Sequence, residues 1–177
     1  MDFKSTAVIK HPLAITWDTM RDQLPEIAAL LADIKSITVR ERQELQAGVV
    51  RLVNLWQAAP ELPALVAKHL KPEMLSWLDY AEWHPENREC RWTIEPQFYK
   101  EYLRCQGITK FEPALGGRGT KITFSGSVAL ETKRLAGNAT WLAGMAAGMA
   151  EPFVQKMIPN NFMKLSKALA EFLDQKA

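Results

Sequence analysis

Residues 152–173 read PFVQKMIPNNFMKLSKALAEFL. Val154, Ile158, Phe162, Leu165, Leu169 and Phe172 recur at steps of three and four, the period that gathers apolar side chains on one stripe of an α-helix. The stretch predicts a long amphipathic helix from Pro152 to Leu173, kinked at Pro159. At 1.5 Å per residue it is about 30 Å long, and an apolar stripe of that length has to be buried against another element.

The rest of the chain supplies that element as strands. Thr120–Leu130 and Tyr102–Pro113 flank Leu115-Gly116-Gly117-Arg118-Gly119, a hairpin signal. Leu75–Trp83 and Arg88–Pro96 flank His84-Pro85-Glu86-Asn87, where Pro fixes φ and Asn tolerates the left-handed region. Ile34–Leu45 and Val49–Ala58 are rich in β-branched residues around Ala47-Gly48. Phe3–His11 alternates weakly and stops at Pro12, which cannot extend a ladder. After it, Trp17, Met20 and Leu24 fall at helical spacing, and Pro25 restarts a second short helix carrying Ile27, Leu30 and Leu31. A short helix is expected within the Pro60–Pro72 connection.

Hairpin register tests these readings, because opposed residues share a face and a slip of one residue inverts every assignment. About Ala47-Gly48, Gln43 opposes Leu52, Glu41 opposes Asn54 and Val39 opposes Trp56, giving an apolar face of Val39, Leu45, Val50, Leu52 and Trp56 that also carries Glu41 and Asn54. About His84–Asn87, Trp77 opposes Ile94, Asp79 opposes Trp92 and Ala81 opposes Cys90. In the last hairpin Phe111 opposes Ile122, Thr109 opposes Phe124, Gly107 opposes Gly126, Cys105 opposes Val128 and Leu103 opposes Leu130. Arg40, Arg42, Glu44, Arg51, Glu89, Arg91, Glu95, Arg104, Lys121 and Glu131 fall on the other face, as a solvated sheet surface requires. The apolar face then packs on the helix from Pro152 to Leu173.

One strand, two short helices, six further antiparallel strands and a long final helix resemble the helix-grip fold of the START and Bet v 1-like (SRPBCC) superfamily. The resemblance runs over the whole chain, 1–177, read as a single domain of α+β class. Its carriers are FKSTAVIKHPLAITWDTMRD at 3–22, GGRGTKITFSG at 116–126 and the terminal PFVQKMIPNNFMKLSKALAEFL. It implies a deep cavity between a curved sheet of about seven strands and the helix, holding lipids, sterols, polyketides or other apolar molecules, and some members are cyclases or other enzymes. The connection Pro60–Pro72 and the segment Leu135–Ala150 depart from the pattern, which puts transferred portal residues in doubt.

Glu41, Asn54 and Asp79 are the polar side chains that register turns toward the helix. A carboxylate there has to be paired, neutral or wet. Two roles fit: orienting a polar group of an apolar ligand, or general acid–base work by one carboxyl of raised pKa. The plainer alternative is that Glu41 and Asn54 satisfy one another, or that a bulge turns them outward. Six tryptophans stand in the chain, and Trp56, Trp77 and Trp92 share the inner face with Phe124, either as lining for an apolar pocket or as core. Gly107 opposite Gly126 leaves room on that face, for a bulge or a close approach of the helix.

Composition excludes several classes. The 177 residues carry 22 Lys and Arg against 20 Asp and Glu, a formal charge of +2, with no basic surplus for a phosphate backbone, so no nucleic-acid partner is expected. The longest uncharged stretch, Leu135–Ala150, holds 16 residues, short of the roughly 20 that span a bilayer. Its Trp141, Leu142, Met145 and Met149 fit either a mobile flap making transient membrane contact or a buried helix. His11, His69 and His84 lie in separate segments without ligand spacing, so no metal or other cofactor is expected. Cys90 and Cys105 form no CxxC, and an acidic second residue precedes no apolar run; free thiols and a cytoplasmic location are expected. Gly-Gly-Arg-Gly-Thr-Lys lacks the spacing of a phosphate loop and is read as a hairpin. The functional expectation is binding, or transport, of a hydrophobic small molecule or lipid by Glu41, Asn54, Trp56, Trp77, Asp79, Trp92 and Phe124, without catalysis. The alternatives are a polyketide cyclase/dehydratase-like enzyme using a cavity carboxylate, and an interaction module whose interior is packed solid.

Overall fold

A computed structural model describes residues 1–59, 75–97, 100, 103–130 and 158–176. Seven antiparallel strands form one sheet: β1 (Asp2–Ile9), β2 (Ile34–Glu44), β3 (Val50–Ala58), β4 (Ser76–His84), β5 (Glu89–Pro96), β6 (Leu103–Ala114) and β7 (Gly119–Leu130). Their spatial order is β1-β7-β6-β5-β4-β3-β2. Between β1 and β2 lie α1 (Leu13–Asp22), α2 (Leu24–Ile27) and a 3-10 turn at Ala28–Leu30. The last element is α3, Ile158–Lys176. The α+β helix-grip arrangement expected from the sequence is therefore present, with strand ends at most two residues from those expected. The Pro60–Pro72 connection, the Leu135–Ala150 segment and His69 lie outside the described residues. Pro159 is the second residue of α3 as described, and the expected helical stretch at 152–157 lies outside the described residues.

The crossing from β1 into the helices is fixed by polar contacts at Pro12. The His11 carbonyl accepts from Thr16 Oγ1 at 3.2 Å and from Thr120 Oγ1 at 2.8 Å. The backbone N–H of Thr16 donates to the Pro12 carbonyl at 3.1 Å, closing the first turn of α1. This places Trp17, 1% exposed, edge-on against Trp83 and Phe111 at centroid distances of 5.0 and 5.1 Å. At the far end of the chain, His11 Nε2 lies 2.7 Å from the Asp174 carboxylate and so ties α3 to the end of β1.

The three hairpins follow the expected register to different degrees. In β6–β7 every expected pair is present, from Leu103↔Leu130 to Phe111↔Ile122, around a tight turn in which Leu115, Gly116 and Gly117 take positive φ. In β4–β5 the turn occupies the four residues after His84, with Arg88 at φ 50°. His84 pairs with Glu89, so Asp79 opposes Ile94 and Ala81 opposes Trp92. The slide is two residues, an even number, and the inner and outer faces are unchanged.

In β2–β3 the register differs. The turn spans Leu45–Val49, closed by the Leu45 N–H donating to the Val49 carbonyl at 2.7 Å, and Ala47 and Gly48 take φ of 57° and 71°. A second irregularity between Val39 and Glu41 shifts the pairing again. Glu41 therefore opposes Val53, and Arg42 and Glu44 oppose Leu52 and Val50. The expected apolar face holds for β3, but in β2 past the bulge Arg42 and Glu44 stand on it where Glu41 and Gln43 are expected; Val39 and Leu45 are exposed, and Arg42 reaches across to Asp22 of α1 at 2.9 Å.

Candidate functional site

The concave face of the sheet does not close completely onto α3. Between them lies a cavity of about 200 Å³, walled by β3, β4, β5, β6 and β7 and by Phe162 and Leu165 of α3. Met20, Leu24, Leu31 and Ile34 complete the apolar wall where α1, α2 and the start of β2 approach the helix. Charged groups gather on this side of the cavity. Lys164 Nζ lies 2.7 Å from Asp33, and Arg21 is bound by Asp22 and Asp18 at 2.6 and 3.1 Å.

Two aromatic groups shape the interior. Trp92 stacks on Phe124 at 4.8 Å and 9°, and Phe124 stacks on Phe162 at 4.8 Å and 8°, a column running from the sheet to α3. The Trp92 indole N–H donates to Thr109 Oγ1 at 3.1 Å, which holds the ring in place. The room for this ring is made by glycine: a Cβ on Gly107 would lie 2.4 Å from the Trp92 ring and 2.2 Å from the Ser125 carbonyl. On Gly126 it would meet the Gln106 carbonyl at 2.4 Å. The Gly107–Gly126 pair thus serves neither a bulge nor the helix, since the Trp92 ring lies over it. The second group is Trp56 and Trp77, a cross-strand pair stacked at 5.6 Å and 18°.

One step along the same face, Asn54 opposes Asp79. Asn54 is 2% exposed, and its Nδ2 donates to Asp79 Oδ2 at 3.3 Å. Among the described residues its Oδ1 has no partner, and neither do the indole nitrogens of Trp56 and Trp83, all three buried. Asp79 retains some accessible surface, toward the cavity it lines. Withdrawal from bulk water pushes its pKa up from 3.8 to about 6. The Asn54 amide and the nearby Trp56 indole oppose the shift by favouring the charged form, although the indole stops short of hydrogen-bond geometry. The Cys90 thiol shares the cavity and is driven well above its usual pKa, first by burial and then by the charge of Asp79, so it is no nucleophile.

Of the residues expected at the site, the structure brings Asn54, Trp56, Trp77, Asp79, Trp92 and Phe124 to one cavity. Glu41 is not among them. The β2 bulge and the five-residue turn carry it to the outer face, exposed and beside Val53 and Tyr80, and the partner of Asn54 is Asp79. Trp83, Thr109 and Phe162 also line the cavity without having been singled out. Trp83 shares the alternation of Trp77, Asp79 and Ala81, and Phe162 sits on the apolar stripe of α3, so both signals were in the sequence. Among the described residues no three His, Cys, Asp or Glu side chains gather to hold a metal ion, and no helix is long and apolar enough to cross a membrane. Both cysteines are buried and free.

A curved antiparallel sheet closing on a C-terminal helix defines a class of fold, and solved structures of that fold match. No protein-family model matches the chain, and no curated relative does. The ZhuI aromatase/cyclase from Streptomyces sp. R1128 is 13% identical with a TM-score of 0.67, over 99% of this chain and 94% of that one. Ara h 8.0201 is 17% identical with a TM-score of 0.62, over 99% and 98%. Norcoclaurine synthase from Thalictrum flavum is 10% identical with a TM-score of 0.62, over 98% and 86%. The chain has the helix-grip fold of the START and Bet v 1-like (SRPBCC) superfamily. At these identities the likeness is one of fold, and the function has to be argued from the cavity.

Proposed function

We propose that the protein binds a small, largely apolar molecule in the cavity between the sheet and α3, as a single-domain cytoplasmic carrier or receptor. The observation that carries this reading is a cavity of about 200 Å³ walled mainly by aromatic and aliphatic side chains, with the Asn54–Asp79 pair lining it besides the ion-paired Arg21, Asp33 and Lys164. Apolar walls with a few convergent polar groups are the usual make-up of a small-molecule site. A solidly packed interaction module would have filled this space. Trp56, Trp77, Trp92 and Phe124 supply contact area, and the Asn54–Asp79 pair orients a polar end of the ligand.

Native mass spectrometry of the purified protein, followed by titration of fatty acids, sterols and flat polyphenols against tryptophan fluorescence, tests the reading. A co-purifying molecule or a saturable change is expected. A flat response to every class, with no bound mass, would refute it.

A second reading has one observation in its favour. A carboxyl whose pKa lies at about 6 is poised to move a proton near neutral pH, as a cyclase or dehydratase acting on an enolisable substrate requires. Asp79→Asn separates the two once a substrate is known, since binding survives in both cases and turnover is lost only in the second.

A further inference from the structure

Asp79 is a carboxylate without a counter-charge among the described residues. Among the described residues no Lys, Arg or His is paired with it, and the groups that act on it or feel its charge are Asn54, Trp56 and the Cys90 thiol. The two cations lining the same cavity are already engaged, Arg21 by Asp18 and Asp22 and Lys164 by Asp33. A withdrawn carboxylate left this way costs free energy that an incoming positive charge would recover.

Its surroundings match one kind of cation. Asn54 Oδ1, in a residue 2% exposed, is an acceptor with no donor among the described residues, and an ammonium carries up to three donors and no acceptor. Trp56 and Trp77 form the next pair along the same face, and indole faces attract organic cations more strongly than other rings do. The remaining wall, Trp92, Phe124 and Phe162, is flat and apolar, suited to a planar hydrocarbon body and unsuited to a hydrated inorganic ion.

We infer that the ligand is an organic ammonium compound with a flat apolar body, its charged nitrogen held between the Asp79 carboxylate and Asn54 Oδ1 beside the Trp56–Trp77 pair. The inference rests on the cavity-binding reading above and narrows its ligand class. A neutral ligand meeting a proton-carrying Asp79 is the competing outcome.

Three probes of one shape decide between them: 2-naphthylmethylamine, 2-naphthalenemethanol and 2-naphthoate, titrated into the whole protein by calorimetry near neutral pH. The amine is expected to bind at least about tenfold more tightly than the alcohol, and the naphthoate least well. Asp79→Asn should abolish the preference for the amine while leaving binding of the alcohol. Trp77→Leu, which leaves the carboxyl–amide pair untouched, should weaken the amine more than the alcohol. Binding of the alcohol or acid as tightly as the amine, or an unchanged preference in Asp79→Asn, would overturn the ammonium inference and leave the cavity reading standing. No binding of any probe would overturn the ammonium inference, and the cavity reading falls with it only if the wider titration and native mass spectrometry also show nothing bound.

Discussion

If Asp79 is held in the cavity as described, replacing it by asparagine should stabilise the protein at neutral pH and do nothing in acid. The carboxyl has a folded-state pKa of about 6 against 3.8 for the free group. Between those values the folded protein holds a proton that the unfolded chain has lost, so stability falls as pH rises through the interval. Above about pH 6 the whole penalty is present; below about pH 4 it has gone. A shift of about two pH units at about 1.4 kcal/mol per unit sets an upper limit near 3 kcal/mol. Asp79 has surface toward the cavity, and water there reduces the effect to about 1–2 kcal/mol. Asparagine keeps the shape and an oxygen to accept from Asn54 Nδ2, so the hydrogen bond at this position is retained and the charge alone is removed. The assay is urea unfolding of both proteins at a series of pH values from about 4 to about 7.5. The difference should be near zero at the acid end and should grow to favour Asp79→Asn by about 1–2 kcal/mol at the neutral end. A difference independent of pH, or one favouring the native carboxylate at neutral pH, would refute the claim that Asp79 is a withdrawn and uncompensated charge.

Gly107→Ala should cost about 1–3 kcal/mol, a fall of roughly 3–10 °C in melting temperature for a chain of this size, because its Cβ meets both the Trp92 ring and the Ser125 carbonyl. A melting temperature within about 1 °C of the native value would refute that packing. The thiols of Cys90 and Cys105, the second raised to about 11 by burial, should not react with a disulfide reagent at about pH 8 until denaturant is added; rapid labelling of the folded protein would contradict their burial. Lys164→Ala should change stability by less than about 1 kcal/mol, since the Lys164–Asp33 pair is 56% and 34% exposed and screened by water. A loss above about 2 kcal/mol in urea unfolding would show the pair to be structural.

How much of the fold was legible depended on which signals were redundant. The α3 stripe carries Phe162, Leu165, Leu169 and Phe172 on one side, and every one of these repeats says the same thing. The β6–β7 hairpin was readable residue by residue because its glycine-rich turn admits few geometries, and an error there would have put Phe111 or Ile122 in water. The β4–β5 turn was placed one residue early, since Asn87 was given the left-handed position that Arg88 occupies. That error was harmless to the site, because moving a turn by one residue shifts the pairing by two and keeps both faces.

The error at Glu41 was of another kind and exposes what local pattern cannot supply. The inner faces of β3 and β4 are set by alternation that continues unbroken through Leu52, Asn54 and Trp56 and through Trp77, Asp79 and Ala81, so those residues needed only parity to reach the cavity. On β2 parity is interrupted at the Val39/Glu41 bulge and again in the turn. No residue there demands the interior, since Arg42, Glu44 and Glu41 are all charged, and exchanging faces at an edge strand costs little. What decided it was tertiary: Arg42 on the concave side finds Asp22 of α1 at 2.9 Å, a contact that no reading of the hairpin alone contains. With Glu41 turned outward beside Tyr80, the cavity keeps one carboxylate without a counter-charge among the described residues, since Asp33, which also lines it, is paired with Lys164. A pair of cavity acids would have shared a proton and allowed acid and base roles together. One uncompensated acid, flanked by an amide oxygen without a donor among the described residues, fits the proposed receipt of a cation or transfer of one proton, and the pH dependence of Asp79→Asn bears on both.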